Sequence, residues 1–237
     1  MIEIDIDPSN DESRRLWSSL GDLVALLPPG WVLIGGLMVQ LHALEWSMGD
    51  VRATTDIDVL GQARPQGALV AIDRALRRHG FTPDWPDDDG YAHRYVRDAL
   101  VVDVVAPDGM KPAPQLGTGR VAVEVPGGSQ ALVRQEEVTV RLGGNSFTLR
   151  RPTILGAILI KARSLMVHHD LESQREDLLM LLSLVQDPRA MARELTNSER
   201  SWLRTARERL AFDRPANVGS DRTRRARLAL RLLIGEG

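Results

Sequence analysis

Apolar and polar positions divide the chain into a first part of short strands and helices and a second part that is helical throughout. Residues 11–27 place Leu16, Leu20, Leu23, Val24 and Leu27 at helical spacing. Ser9 or Asn10 is available as a cap, and Pro28-Pro29-Gly30 as a stop. Residues 31–34 (WVLI) are uniformly apolar and predict a short buried strand. A Gly35-Gly36 turn follows. Residues 37–46 are apolar all round and predict a buried helix, with His42 as a core residue. After a turn at Gly49-Asp50, residues 51–60 return as a strand. Ile57 and Val59 face its core side, so Asp56 and Asp58 share the other.

Residues 65–79 form an amphipathic pattern, with Leu69, Val70, Ile72 and Leu76 inward, Arg74, Arg77 and Arg78 outward, and Gly80 as the C-terminal stop. A short strand is expected over 81–85. Asp87-Asp88-Asp89-Gly90 lacks the alternating ligands of a calcium loop and predicts a solvated turn. Residues 91–96 and 100–106 read as strands paired around Arg97-Asp98. A Pro- and Gly-rich loop spans 107–120. Further short strands are expected over 121–125, 131–133, 138–142 and 147–149, broken by Gly127-Gly128 and Gly143-Gly144. Pro152 fits the first position of a helix. The expected domains are therefore 1–150, an α/β unit with a mixed sheet, and 151–237, a helical unit. In the second, Asp187-Pro188 opens one helix, Thr196-Asn197-Ser198-Glu199 caps another, and the last runs over 221–234.

Composition narrows the class. The 237 residues are 43% hydrophobic and 26% charged, which fits a globular chain. The absence of cysteine excludes disulfides, thiolate catalysis and cysteine-based zinc sites. No apolar run reaches membrane-spanning length, and the acidic start MIEIDIDPSNDESRR has no signal-peptide pattern, so a cytoplasmic location is expected. The net charge of −2 announces no nucleic-acid partner. Its distribution says more: from 200 to 231 there are ten arginines against three acids. Such a face suits phosphate backbones, or it is simply a solvated helix surface.

The chemistry concentrates between residues 31 and 60. Asp56 and Asp58 on one strand face repel each other unless a cation lies between them. Hard carboxylate oxygens suit Mg2+ or Mn2+, completed by waters and substrate phosphates. The Gly35-Gly36 turn lets backbone approach a ligand closely and opens a helix whose N-terminus favours anions. A metal site beside a phosphate site predicts nucleotide chemistry. Asp103 is the one polar residue in LVVDVVAP, where a carboxylate needs a partner: a metal, or His93 or Arg94 across the hairpin. Lys161 stands in an otherwise apolar helix and either has a carboxylate partner or snorkels to solvent. His168-His169-Asp170 has no visible third anchor and reads as an interhelix turn.

The Gly-Gly turn, the D-x-D strand and the segment RATTDIDV resemble the nucleotidyltransferase superfamily, and more narrowly the AbiEii/MenT group of type IV toxin-like nucleotidyltransferases. Gly35, Gly36, Arg52, Thr54, Asp56 and Asp58 carry the resemblance, which extends over about 30–185. Leu37 stands where many members have Ser, which leaves Thr54 as the expected hydroxyl at the phosphates. Lys161, Arg163, Arg175, Asp177 and Leu178 fit the group's later motif, with Met180 in place of its usual second aspartate.

The resemblance implies a nucleotidyltransferase core followed by a helical domain. It implies an attack by an acceptor hydroxyl on the α-phosphate of an NTP, with pyrophosphate released. Asp56, Asp58 and Asp103 would hold metal, and Asp103 would act alternatively as general base. Gly35, Gly36, Arg52, Thr54 and Lys161 would hold the nucleotide, and Asp177 would position the lysine or the nucleotide. The implied acceptor is a tRNA 3′ end, and the implied partner a cognate antitoxin. A small hydroxylated acceptor, or a non-catalytic binding protein that keeps the fold, are the alternatives.

Overall fold

The computed structural model describes residues 2–48, 51–62, 67–84, 91–117, 119–167, 171–212 and 217–236. The elements run β1 (Ile2–Ile6), α1 (Asp11–Leu26), β2 (Trp31–Ile34), α2 (Gly35–Glu45), β3 (Asp56–Gly61), α3 (Ala68–Arg78), β4 (Thr82–Pro83), β5 (Tyr91–Ala92), β6 (Arg94–Arg97) and β7 (Leu100–Pro107). Then come β8 (Val121–Ala122), β9 (Glu124–Val125), α4 (Gly128–Val133), β10 (Gln135–Leu142) and β11 (Asn145–Pro152). Five helices complete the described chain: α5 (Ile154–Ser164), α6 (Leu171–Ser183), α7 (Pro188–Arg193), α8 (Asn197–Leu210) and α9 (Ser220–Leu233).

The main sheet has the order β2-β3-β7-β6-β4, with β9 paired to β7. It is mixed: β3 and β7 are parallel, whereas β2–β3, β6–β7 and β4–β6 are antiparallel. Its registers align one row of residues across four strands: Ile34, Asp58, Asp103 and Arg94. Directly opposed residues on neighbouring strands project to one face, so this row sets the site. The helix α2 leaves β2 at once and is buried by Leu37, Met38, Val39, Leu41 and Ala43. It packs against α5 and α6, so the helical half closes over the same end of the sheet. One hydrophobic cluster runs from Ile4 through Leu33, Ile57 and Val104 to Leu159, Leu181 and Leu230. An α+β architecture with mixed sheets is thus present. Among the described residues, no helix is long and apolar enough to cross a membrane.

Local rules account for most boundaries. Asn10 caps α1 by accepting from the Ser13 amide at 2.8 Å. Thr196 and Glu199 form a reciprocal capping box on α8. One element is added to the expected set, and three expectations are corrected. IEIDI, read above only as an acidic start, is a strand: Ile4 and Ile6 are buried, and β1 pairs in parallel with β10. The D-x-D strand begins at Asp56; residues 51–55 are unpaired, and the Arg52 carbonyl instead accepts from Gln40 Nε2 at 2.9 Å. Residues 131–133 lie in α4, because Asp108 reaches over from the end of β7 and accepts from the Gly127 and Ser129 amides at 3.0 and 3.1 Å. Pro152 closes β11, and Thr153 caps α5 by accepting from the Gly156 amide. The hairpin β10–β11 joins β1 in a separate three-stranded sheet. The expected turns at Gly49-Asp50 and Asp87–Gly90 and the His168-His169 pair lie outside the described residues.

Candidate active site

The site is built from the turn upward. Gly35 has φ +70°, a left-handed conformation that glycine adopts freely. A Cβ there would stand 1.7 Å from Asp58 Oδ2, so the glycine is what lets the Asp58 carboxylate lie across the start of α2. A Cβ on Gly36 would stand 2.7 Å from Thr54 Oγ1. The pair of glycines therefore makes room for two side chains, as well as supplying the turn. Among the described residues no side chain caps α2, and both glycines line a cavity of about 910 Å³.

The carboxylates of Asp56, Asp58 and Asp103 converge in that cavity, with one oxygen from each lying within 4.8 Å of the others. Asp56 accepts from Thr54 Oγ1 at 2.8 Å. Asp103 is buried and accepts from Arg94 Nε at 2.9 Å and Nη2 at 2.8 Å. Of the partners expected for Asp103 from the sequence, Arg94 across the hairpin is the one it takes, and on its other side Asp103 stands opposite Asp58 of the D-x-D strand. Those bonds to Asp103 hold the Arg94 guanidinium above its ordinary affinity for protons, against the opposing effect of burial.

Asp58 differs from its neighbours. Among the described residues nothing donates to its carboxylate. Burial, then the charges of Asp56 and Asp103, raise its pKa to about 7, while Lys161 and Arg52 pull the other way. A half-buried carboxylate without a donor among the described residues, together with the two it faces, makes a set of converging hard oxygen donors. Mg2+ or Mn2+ fits this donor set.

The cationic side joins Arg52, just ahead of β3, to Lys161 and Asp177 of the helical half. Asp177 is 1% exposed. It accepts from Arg52 Nε and Nη2 at 2.8 and 2.9 Å and pairs with Lys161 Nζ at 2.8 Å. Burial alone would raise its pKa, but Lys161 and Arg52 outweigh it and hold the carboxyl below the ordinary value. Lys161 is also buried and donates to Gln174 at 3.2 Å. It does not snorkel. Its ammonium has three protons, of which these two contacts use two, and the residue lines the cavity. Arg52 and Lys161 line the large cavity. Asp177 lies behind them, where it lines a separate one of about 300 Å³ together with Arg52.

All nine residues singled out from the sequence thus lie at this end of the sheet. Arg94 and Gln174 were not singled out as site residues. Arg94 could have been: pairing Arg97 with Leu100 across the turn places Arg94 opposite Asp103. Gln174 carries no such sequence signal. Elsewhere, Arg151 is fully buried between Glu45 and Glu136 beside His42 and is ion-paired with both acids, so its single charge offsets one of the two.

The C-terminal arginines are in large part structural. Arg200 donates to the Leu233 and Ala192 carbonyls, Arg204 to Ile234, and Arg209 to Leu165. Arg227 stacks on Phe212. Arg224 and Arg225 are exposed, and Arg214 lies outside the described residues. Compared with known proteins, the chain matches no family model and no curated protein sequence.

Proposed function

We propose that the chain is a divalent-metal-dependent nucleotidyltransferase that moves a nucleotide from an NTP to an acceptor hydroxyl and releases pyrophosphate. One observation carries the reading: three converging carboxylates, one lacking a donor, share a cavity with an uncapped glycine turn and a lysine. Asp56, Asp58 and Asp103 would hold Mg2+ or Mn2+. When bound, the cation would offset phosphate charge and acidify the acceptor hydroxyl.

The chain's own groups do the rest. The first amides of α2, at Gly35 and Gly36, can donate to phosphate oxygens. Lys161 has one proton left for a phosphate after Asp177 and Gln174, and Asp177 keeps its ammonium and the Arg52 guanidinium fixed. The Thr54 hydroxyl donates to Asp56, so its role is to orient that carboxylate as much as to meet a phosphate. Asp103 keeps open lone pairs beyond the Arg94 contact and can take the acceptor proton. The resemblance to the AbiEii/MenT group suggests a tRNA 3′ end as the acceptor, and with it a toxin-type enzyme with a separate antitoxin. The exposed Arg224 and Arg225 are available to a phosphate backbone.

The test is incubation with each α-labelled NTP, total tRNA and Mg2+, with Asp58→Asn as control. Label on RNA that disappears with Asp58→Asn supports the reading. Label only on small hydroxylated molecules moves the acceptor to that class. No transfer with any NTP or acceptor, while nucleotide still binds, overturns the catalytic reading in favour of a binding protein.

A further inference from the structure

We infer that Arg94 is a positioning residue: its side-on grip on Asp103 fixes the third carboxylate of the cluster for a divalent cation. The inference rests on the metal-dependent reading above.

Arg94, Asp103 and Asp58 are consecutive in one cross-strand row, so Asp103 stands between a guanidinium and a carboxylate. Left alone, its carboxylate would turn away from Asp58 and Asp56, which share its charge. The Arg94 fork prevents this. With Nε on one oxygen and Nη2 on the other, the carboxylate plane is tied to the guanidinium plane. Each oxygen still has a lone pair directed elsewhere, and one lies within 4.8 Å of oxygens of both other aspartates. The Arg94 side chain is 39% exposed and lines the cavity, so it sits at the rim and holds a buried acid in place from outside.

Charge and geometry make opposite demands here, which makes the inference testable. As a positive charge, Arg94 repels a cation, so on charge alone its removal tightens metal binding. As a fork, it pre-orients a ligand, and losing such a support typically weakens metal binding about 10–100-fold. Lysine keeps the charge but presents a single point donor with no planar fork.

The experiment is titration of the full-length chain with Mn2+ alone, followed by electron paramagnetic resonance at constant ionic strength, with a thermal unfolding midpoint for every variant. Arg94→Lys should weaken Mn2+ binding about 10–100-fold at a near-unchanged midpoint. Arg94→Gln should weaken it less, since losing the repulsion offsets part of the loss. Arg94→Lys binding Mn2+ like the wild type overturns the inference and reduces Arg94 to charge compensation. Should the lysine variant not fold, tighter Mn2+ binding by Arg94→Gln than by the wild type overturns it equally. A wild-type chain that binds no Mn2+ removes the metal-dependent reading itself, and the positioning role with it.

Discussion

Substituting Gly35 by alanine tests the geometry of the site through folding alone. Two costs follow from the structure. A non-glycine residue at φ +70° costs about 1–2 kcal/mol. The added methyl would also stand 1.7 Å from Asp58 Oδ2 and 2.4 Å from its Cγ, so the carboxylate must swing aside. An off-rotamer side chain costs about 0.5–1.5 kcal/mol. Gly35→Ala should therefore lose about 1.5–3.5 kcal/mol in urea unfolding, the sum of those two ranges. Asp58→Ala removes the clashing carboxylate and leaves only a Cβ contact at 2.8 Å. It also relieves repulsion with Asp56 and Asp103, so alone it should be neutral or stabilising. In the double variant the carboxylate clash is gone, and the backbone cost remains together with the 2.8 Å Cβ contact. The double-mutant cycle should then show a coupling of about 0.5–1.5 kcal/mol. Strict additivity, or a Gly35→Ala variant as stable as the wild type, would show that Asp58 does not lie over the turn as described.

Two further outcomes are expected. Asp177→Asn leaves Lys161 and Arg52 without their buried counter-charge and should destabilise by about 3 kcal/mol, the low end for breaking a buried pair, because Arg52 is 25% exposed. Adding Lys161→Met should recover part of that loss in urea unfolding, and simple additivity of the two changes would refute the coupling. His42 is held neutral by burial and then by the nearby Arg151 charge, which together outweigh its bond to the Pro152 carbonyl. Its folded pKa lies below the unfolded value of about 6.5, so the unfolded chain takes up the proton first and stability falls as pH drops below about 6.5. Between pH 7.5 and 5.5 the wild type should lose more stability than His42→Gln, by up to about 1.4 kcal/mol, compared by urea midpoints; equal losses would count against a neutral buried His42.

The sequence by itself determined the local elements and the chemical inventory. The apolar WVLI run, the all-round apolar helix after it and the alternation around Ile57 and Val59 fixed which way Asp56 and Asp58 face, because strand and helix periods leave no other face for them. Lys161 was conspicuous because an ammonium in an apolar helix demands a partner. Which partner it takes depends on how α6 lies on α5, and only tertiary packing sets that. The same holds for IEIDI, whose strand character appears once β10 pairs with it from far along the chain. It holds for α4, whose cap is the distant Asp108. The row Ile34–Asp58–Asp103–Arg94 is likewise a matter of register between strands, decided by sheet order and not by any single segment. Local periodicity states what a residue can face; long-range register decides what stands opposite it.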